Sequence, residues 1–217
     1  MSNVPDSRPL LCYVTDRRSL SPGAAAEDLL APIRRAIDAG IDWIQIREKD
    51  LSARDLLSLA QKAVAAAAGT PTKILVNDRL DVALAAGAAG VHLGGESAPV
   101  AEVVRWCRAG HAPAGFLIGA SCHSLKDSLA AESSAADYIL FGPVFATPSK
   151  ISFGPPQGIE RLAEVARGVR IPALAIGGIT VENARECTGA GAAGVAAIRL
   201  FQQAGDLRAI VASLRDH

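Results

Sequence analysis

Three polar side chains alternate along one short segment of the chain, Gln45-Ile46-Arg47-Glu48-Lys49. Alternate side chains of an extended strand share a face, so Gln45, Arg47 and Lys49 are predicted to point the same way, with the neighbouring isoleucines opposite. Two cations and an amide at the end of an apolar strand could bind a multiply charged anion such as a diphosphate. A solvated strand end is the alternative, but the regular spacing between isoleucines favours the anion site.

A carboxylate follows the next apolar run, in Asn77-Asp78-Arg79. Mg²⁺ typically binds one or two carboxylates together with phosphate oxygens, and Asp78 can supply one. The alternative is a turn in which Asn77 and Asp78 hydrogen bond to their own backbone. The motif alone does not decide between the two, and its agreement with the predicted diphosphate site favours the metal.

The loop 142–150 has the composition of a phosphate-binding loop. Thr147 and Ser149 offer hydroxyls and Lys150 offers an ammonium group, all of which can hold phosphate oxygens. A flexible surface loop would have a similar composition, although long loops in compact domains are often functional.

Two glycines, Gly177 and Gly178, end a later apolar run and precede a predicted helix. Backbone amides at such a position can cradle phosphate, and a tight turn is compatible with the same role. Arg199 follows the last run and could add positive charge, or simply be a surface arginine.

Two histidines and a cysteine lie near the ends of predicted strands. His123 could be an acid–base group or a substrate contact, and a histidine that is only hydrogen bonded near a strand end is an equal alternative. Cys122 has no evident activating partner and is predicted to be a packed thiol. His92 alternates with apolar neighbours, and a structural role is the first expectation for it.

Eight short apolar runs must position these groups. Amphipathic segments alternate with the runs, such as 28–39, where Leu29, Ile33 and Ile37 fall on one helical stripe. This alternation predicts βα units and a parallel sheet. The runs are 11–15, 43–47, 73–77, 90–93, 116–121, 137–141, 173–176 and 195–198.

A repeated junction supports this organisation. Gly40, Gly87 and Gly191 each follow an alanine where a predicted helix ends, and Ala135 stands in a looser copy. Each glycine is expected to cap its helix. Eight such units favour a single (β/α)8 barrel of the α/β class. An open doubly wound sheet would usually have a Gly-rich turn after its first strand, and residues 15–18 are Thr-Asp-Arg-Arg instead.

Length and composition limit the remaining possibilities. The 217 residues suit one domain, predicted at 11–217 after a disordered or extended segment at 1–10. Lys plus Arg (22) equals Asp plus Glu (22), which argues against a nucleic-acid surface. Because no signal peptide or membrane span is evident and the four cysteines form no CxxC pair, a cytoplasmic protein without membrane partners is expected. The oligomeric state is left open, with a homo-oligomer as one alternative.

The motifs together resemble those of the thiamine-phosphate synthase (thiamine-phosphate pyrophosphorylase) family, whose close relative is the thiazole tautomerase. The resemblance runs from about Tyr13 to Gln202. The matching stretches are Tyr-Val-Thr-Asp at 13–16, Gln-Ile-Arg-Glu-Lys at 45–49, Asn-Asp-Arg at 77–79, Gly-Val-His-Leu-Gly at 90–94, Ala-Asp-Tyr at 136–138, Phe-Gly-Pro-Val-Phe-Ala-Thr-Pro-Ser-Lys at 141–150 and Ala-Ile-Gly-Gly-Ile at 175–179.

The resemblance implies a (β/α)8 barrel and a Mg²⁺-assisted transfer. The pyrimidine substrate, 4-amino-2-methyl-5-hydroxymethylpyrimidine diphosphate, loses pyrophosphate, and the nitrogen of thiazole phosphate attacks its methylene carbon. The residues implied to act on the diphosphate are Gln45, Arg47, Lys49, Asn77 and Lys150, with Ser121 near the diphosphate and the pyrimidine. Those implied to bind the thiazole phosphate are Thr147, Ser149, Gly177, Gly178 and the backbone of Ile198 and Arg199.

One departure from the family pattern concerns the metal. The family usually reads Gly-Gln-Glu-Asp where this chain has Gly94-Gly95-Glu96-Ser97, so Ser97, a neutral and weaker metal ligand, takes the place of a metal-binding Asp. Glu96 is an alternative ligand. A serine near Arg199 is also usual in the family.

Three functions are therefore considered, with the synthase first because the diphosphate-binding set is intact. The second is the thiazole tautomerase, a proton-transfer isomerase that would use His123 as its base. The third is a non-catalytic sensor of phosphorylated ligands.

Overall fold

Eight parallel strands form a closed barrel in the computed structural model, which describes residues 8–147 and 156–216. The predicted (β/α)8 barrel is confirmed, and the predicted strand ends agree with the observed ones to within one residue. The strands are β1 (Leu10–Val14), β2 (Trp43–Ile46), β3 (Lys73–Asn77), β4 (Gly90–Leu93), β5 (Leu117–Cys122), β6 (Tyr138–Phe141), β7 (Ala173–Ile176) and β8 (Gly194–Ala197).

Helices follow the strands and surround the barrel. They are α1 (Leu30–Asp38), α2 (Ala53–Ala67), α3 (Leu80–Ala85), α4 (Val100–Trp106), α5 (Leu125–Ser133), α6 (Gly158–Gly168), α7 (Val181–Gly189), α8 (Arg199–Gln202) and α9 (Leu207–Arg215). Short 3-10 turns span Arg17–Ser19 and Ala26–Leu29, and a π turn spans Cys107–His111. Within the described ranges, none of the helices is long and apolar enough to span a membrane.

Strand side chains divide between two apolar cores according to the alternation of the pleat. Ile44 and Ile46 belong to the larger core between the strands and the helices, as predicted. Trp43, which shares a face with Gln45, belongs to a smaller core inside the barrel. The other members of this inner core are Cys12, Val14, Leu75, Tyr138, Leu140, Leu174 and Ala196. The inner core fills the barrel below its polar carboxyl end.

Left-handed residues end several helices at the predicted junctions. Gly40, Gly87 and Gly191 have φ angles of 80°, 69° and 98°. Ala135, in the looser copy, adopts the same conformation with φ 60°. This region is favourable for glycine and costly for other residues. The predicted capping role of the glycines is therefore confirmed. Ala135 adopts the same left-handed conformation, although alanine is strained there and glycine is not.

The first and last units of the barrel are joined by Gln202, which is buried at the end of α8. Its Oε1 accepts hydrogen bonds from the Tyr13 hydroxyl (2.7 Å) and the Asp16 backbone N–H (3.1 Å). Its Nε2 donates to the Asp16 carbonyl (2.7 Å) and to Ser19 Oγ (2.7 Å). One side chain thus holds the loop after β1 against the last βα unit.

The opposite end of the barrel is closed by Asp42. Its Oδ2 accepts from the Leu11 backbone N–H (2.9 Å) and from Arg215 Nη2 (3.0 Å). Arg8 donates to the other carboxylate oxygen at 3.2 Å. Residues 1–7 of the predicted N-terminal segment lie outside the described residues.

Candidate active site

A chain of amides joins the carboxyl ends of β2 and β3. Gln45 is 1% exposed, and its Nε2 donates to Asn77 Oδ1 at 2.9 Å. Asn77 Nδ2 donates in turn to Asp78 Oδ2 at 2.6 Å. Gln45 Oε1 is buried and has no hydrogen-bond partner among the described residues. Because an unpaired buried acceptor is costly, this oxygen is poised for a donor on a ligand.

Asp78 is held in place by its neighbours on the β4 loop. Its φ of 61° lies in the left-handed region, and its Oδ1 accepts from the Gly94 N–H (3.1 Å) and from the Ser97 hydroxyl. Burial opposes ionisation of Asp78. The hydrogen bonds from Ser97 and Gly94 and the charge of Lys49 outweigh burial and lower its pKa. The carboxylate is therefore ionised at neutral pH.

The residues around Asp78 fit Mg²⁺ only in part. Each carboxylate oxygen has about two acceptor positions. Those of Oδ1 are taken by Gly94 and Ser97, and one of Oδ2 is taken by Asn77. No group of three or more His, Cys, Asp or Glu side chains capable of holding a metal occurs in the described part of the chain. Glu96 is exposed to solvent. Asp78 can thus offer one oxygen, and most other ligands must come from substrate or water.

Two cations follow β2 at the same end of the barrel, and the charge of Lys49 reaches Asp78. β2 ends at Ile46, one residue earlier than predicted, because the Arg47 N–H donates to Thr15 Oγ1 (3.0 Å) instead of continuing the strand. The Arg47 side chain is half-buried and Lys49 is exposed. Across residues 8–147 and 156–216, neither forms a salt bridge, whereas Arg17 is paired with acidic side chains. Two cations without a salt bridge in the described structure are suited to an anionic ligand.

A buried carboxylate that the sequence analysis missed orients the loop bearing these cations. Glu48 is 5% exposed, and its Oε1 accepts from Thr15 Oγ1 at 2.6 Å. Both carboxylate oxygens also accept from the Arg17 backbone N–H, at 3.3 and 3.2 Å. Burial raises the pKa of Glu48, and these hydrogen bonds oppose the shift. The signal in the sequence was its alternation with Arg47 and Lys49, which places it on the opposite side of the segment.

A second buried chain of hydrogen bonds runs through His92. Its Nε2 lies 2.9 Å from Ser121 Oγ, and its Nδ1 lies 3.1 Å from the Tyr138 hydroxyl. Burial lowers the pKa of His92 to about 4, so the imidazole is neutral at physiological pH. Trp43 packs against the Tyr138 ring with the ring centres 4.6 Å apart. The structural role expected for His92 therefore includes a direct contact with a predicted site residue, Ser121.

His123 is hydrogen bonded near the end of β5, and Cys122 is packed in the core. His123 Nδ1 is hydrogen bonded to the Gly142 carbonyl. Because a carbonyl only accepts, Nδ1 carries a proton and donates it, and Nε2 has no hydrogen bond among the described residues. The His123 backbone N–H donates to Asp127 at 3.3 Å. Cys122 is buried, and burial raises the pKa of its thiol to about 11, as expected for a packed thiol.

The turn after β7 lies directly against the loop after β6. Phe145 N–H donates to the Gly177 carbonyl at 3.0 Å. A Cβ at Gly177 would lie 2.5 Å from Pro143, and one at Gly178 would lie 2.6 Å from the Ala146 carbonyl oxygen. Glycine is therefore required at both positions for the two segments to approach, so the tight-turn interpretation holds and a phosphate role remains a prediction.

The loop after β6 also contacts the start of α8, where two more predicted residues come together. Arg199 Nη2 lies 3.3 Å from Thr147 Oγ1. Ile198 precedes the first residue of α8 and links it to β8. Ser149 and Lys150 lie outside the described residues, so their roles also remain predictions.

The chain is similar to proteins of one known family. The family model described as thiamine monophosphate synthase matches residues 11–201. A putative thiamine-phosphate synthase from Geobacter sulfurreducens is 45% identical over 87% of this chain and 84% of its own. A thiamine-phosphate synthase from Methanoculleus marisnigri is 43% identical over 94% of this chain and 93% of its own.

Solved structures give the same result. The thiamine phosphate pyrophosphorylase from Pyrococcus furiosus superposes with a TM-score of 0.82 at 33% identity and covers 97% of this chain and 95% of its own. A 3-hexulose-6-phosphate synthase has a TM-score of 0.70 at 16% identity, a likeness of fold alone. On the matched family model and these relatives, the chain belongs to the thiamine monophosphate synthase family.

Proposed function

We propose that the protein is a thiamine-phosphate synthase, with residues 11–217 as its catalytic domain. It joins 4-amino-2-methyl-5-hydroxymethylpyrimidine diphosphate to thiazole phosphate and releases pyrophosphate. The observation that carries this proposal is the pair of cations, Arg47 and Lys49, that follow β2 and form no salt bridge in the described part of the chain. Lys49 is close enough to ionised Asp78 for its charge to lower the pKa of that carboxyl. A site of this kind is built to take an anion with an associated divalent cation.

The residues around the cations would bind the departing diphosphate. As the bond to the methylene carbon breaks, negative charge grows on the leaving oxygen, and fixed positive charges stabilise it more than they stabilise the ground state. Arg47 and Lys49 would supply that charge, with Lys150 as a third predicted contributor. Gln45 and Asn77 are already oriented by their mutual hydrogen bond and need little reorganisation.

Asp78 would hold Mg²⁺ through the open position of Oδ2, in company with diphosphate oxygens. The bound ion would neutralise part of the diphosphate charge. Because Ser97 and Gly94 already occupy Oδ1, we expect metal and diphosphate to bind together rather than separately. Glu96 is an exposed residue of the loop after β4, which also contains Gly94 and Ser97, and it remains a predicted alternative ligand.

The acceptor phosphate would be held on the other side of the barrel mouth. Thr147 and Arg199 are in contact there, and the Gly177 and Gly178 amides lie beneath the same loop. Ser149 and the backbone of Ile198 complete the predicted set. Holding both substrates at one barrel end brings the thiazole nitrogen toward the methylene carbon and reduces the entropic part of the barrier.

The test is the formation of thiamine phosphate from the two purified substrates, with Mg²⁺ and with EDTA. We expect product only with Mg²⁺. Arg47→Ala should lower kcat/KM by at least about 100-fold, since it removes a donor to the developing charge. Arg18→Ala is the matched control, because Arg18 is an exposed arginine that binds Asp50 at 2.7 Å. Near-normal turnover by Arg47→Ala would contradict its proposed role.

The thiazole tautomerase is the second candidate, and two observations favour it. Neutral Ser97 stands where the family has a metal-binding Asp, and His123 has an exposed ring whose Nε2 is open in the described structure. Isomerisation of the carboxylated thiazole phosphate in EDTA, abolished by His123→Ala, would establish this activity. Binding of phosphorylated ligands without turnover in either assay would leave the non-catalytic sensor as the remaining hypothesis.

We also infer a cytoplasmic location. Its support is that all four cysteines are buried free thiols, as is usual in a reducing compartment. A homo-oligomer remains a prediction, to be measured by light scattering.

A further inference from the structure

Three inward-facing positions lie in line across β4, β5 and β6. His92 is in register with Gly119, and Gly119 is in register with Tyr138. A Cβ on Gly119 would lie 2.0 Å from Cζ of Tyr138 and 2.5 Å from its hydroxyl oxygen. The missing side chain at Gly119 therefore makes room for the Tyr138 ring, whose hydroxyl crosses β5 to reach His92 at 3.1 Å.

The hydroxyl of Tyr138 determines where the His92 ring carries its proton. Tyr138 is fully buried, and its pKa is raised well above the ordinary value, so the hydroxyl keeps its proton. In the described structure His92 Nδ1 is its hydrogen-bond partner. A buried hydroxyl proton without an acceptor is costly. Nδ1 must therefore present its lone pair, which leaves the ring proton on Nε2.

The consequence reaches Ser121 at the edge of the site. With its proton on Nε2, His92 donates to Ser121 Oγ across 2.9 Å. The serine oxygen accepts this bond, and its own proton is then available for another acceptor. If the ring carried its proton on Nδ1, Ser121 would have to donate to Nε2. It would then offer only lone pairs to an anion.

We propose that Tyr138 is a positioning residue that acts through His92 and makes Ser121 present its hydroxyl proton to the substrate diphosphate. This proposal rests on the proposed function for the identity of the anion. It does not require that function for the direction of the hydrogen bonds. Tyr138 touches no reacting atom. Its effect on the site is to fix the direction of the hydrogen bond between His92 and Ser121, so that the serine keeps its own proton for the anion.

The direction of the bonds is measured by NMR on protein labelled with ¹⁵N-histidine, with His92→Asn used to assign the His92 signals. We expect the wild-type His92 ring to carry its proton on Nε2 at neutral pH without ligand. Tyr138→Phe removes the donor to Nδ1, and the Nδ1–H form should become populated. A wild-type ring protonated on Nδ1, or on both nitrogens, would overturn the proposal.

The effect on the anion is measured by calorimetric titration with pyrophosphate in the presence of Mg²⁺. Tyr138→Phe and Ser121→Ala should each weaken binding about tenfold, the value of one hydrogen bond. Because Tyr138 acts through Ser121, the double variant should be no weaker than Ser121→Ala alone. Additive losses would overturn the proposal, since they would mean that the tyrosine supports the site by packing.

A matched control separates the relay from a general loss of a buried hydroxyl. Tyr13 is also buried, and its hydroxyl donates to Gln202 at 2.7 Å. Tyr13→Phe should lower the melting temperature as Tyr138→Phe does, and it should leave pyrophosphate affinity and the His92 ring proton unchanged. An equal loss of pyrophosphate affinity in Tyr13→Phe would count against the relay. A wild type with Nε2–H that makes no thiamine phosphate would support the relay and contradict the proposed function.

Discussion

Ser97 stands where the resemblance to the family implies an aspartate, and the structure gives it a local role. Its hydroxyl donates to Asp78 Oδ1 and its oxygen accepts from the Gly94 N–H at 2.7 Å. A second carboxylate at this position would repel Asp78 unless a cation lay between them. Ser97 therefore gives Asp78 a protein donor at the position where the resemblance implies a second carboxylate.

This exchange predicts the behaviour of Ser97→Asp. We expect it to raise the affinity for Mn²⁺ or Mg²⁺ without substrate by about tenfold or more, because a second carboxylate becomes available to the ion. It should also destabilise the metal-free protein, since two carboxylates then share one region. Calorimetric titration of the metal measures the first effect and thermal unfolding in EDTA the second.

Ser97→Asn is the control, because it has the shape of the aspartate without the charge. If Ser97→Asp bound the metal with the same affinity as the wild type, position 97 would not face the ion.

Several candidate site residues, and their grouping at one end of the barrel, could be predicted because their types are unusual where they stand. Gln45, Arg47 and Asp78 interrupt or follow apolar strands, and the barrel brings those strand ends together. Glu48 and Tyr138 could not be assigned in this way. Their importance depends on contacts between segments distant in sequence, with Thr15 and His92 respectively, and a single sequence does not encode such pairings in its periodicity.

The observed strands match the predicted runs more closely than the observed start of α1 matches its predicted start. All eight strands are short runs bounded by turn residues. α1 was predicted over 28–39, yet the segment begins with a 3-10 turn at Ala26–Leu29 and the helix spans Leu30–Asp38. Pro32 lies in its first turn and has no N–H to donate to the carbonyl four residues earlier. The apolar stripe does not depend on this local hydrogen bond, so periodicity alone predicts an earlier start of the α-helix than the structure shows.

The junction between α5 and β6 allows a sharp prediction. Ala135 is exposed and has φ 60°, a conformation that glycine adopts without a Cβ penalty. Ala135→Gly should therefore stabilise the protein by up to about 1 kcal/mol, the left-handed penalty less the entropy cost of glycine. Urea denaturation measures the change.

Gly40→Ala is the reciprocal variant, because Gly40 has φ 80° at the equivalent junction. It should destabilise by about 1 kcal/mol. A loss of stability in Ala135→Gly would mean that the Ala135 methyl group makes a contribution larger than its backbone strain.

At the scale of the whole molecule, closure of the barrel depends on a few polar contacts between the chain's beginning and end. Asp42 joins β1 to α9 at one end, and Gln202 joins the β1 loop to α8 at the other. The pairing of β1 with β8 supplies the backbone part of the same closure. The sequence predicts eight units but does not show which side chains tie the first to the last, because these contacts span more than 170 residues.

Removal of the Gln202 side chain should be costly. Gln202→Ala leaves the Tyr13 hydroxyl, the Asp16 backbone groups and Ser19 with unsatisfied positions, so we expect a loss of about 3 kcal/mol. Gln203→Ala is the control, because in the described structure the exposed Gln203 side chain makes a single long hydrogen bond, to the Ser19 carbonyl at 3.3 Å. It should change stability by less than about 0.5 kcal/mol. Equal unfolding midpoints in urea for the two variants would contradict a closing role for Gln202.

The close fit of Gly119 and Tyr138 has a consequence for how this sequence can evolve. A methyl group added at position 119 would overlap the Tyr138 ring at 2.0 Å. The reverse order of substitution meets no such obstacle, because a smaller residue at 138 first vacates the space. The two positions therefore form an epistatic pair with a directional mutational path. A homologue with a side chain at position 119 is expected to have lost the ring at position 138 before it acquired that side chain.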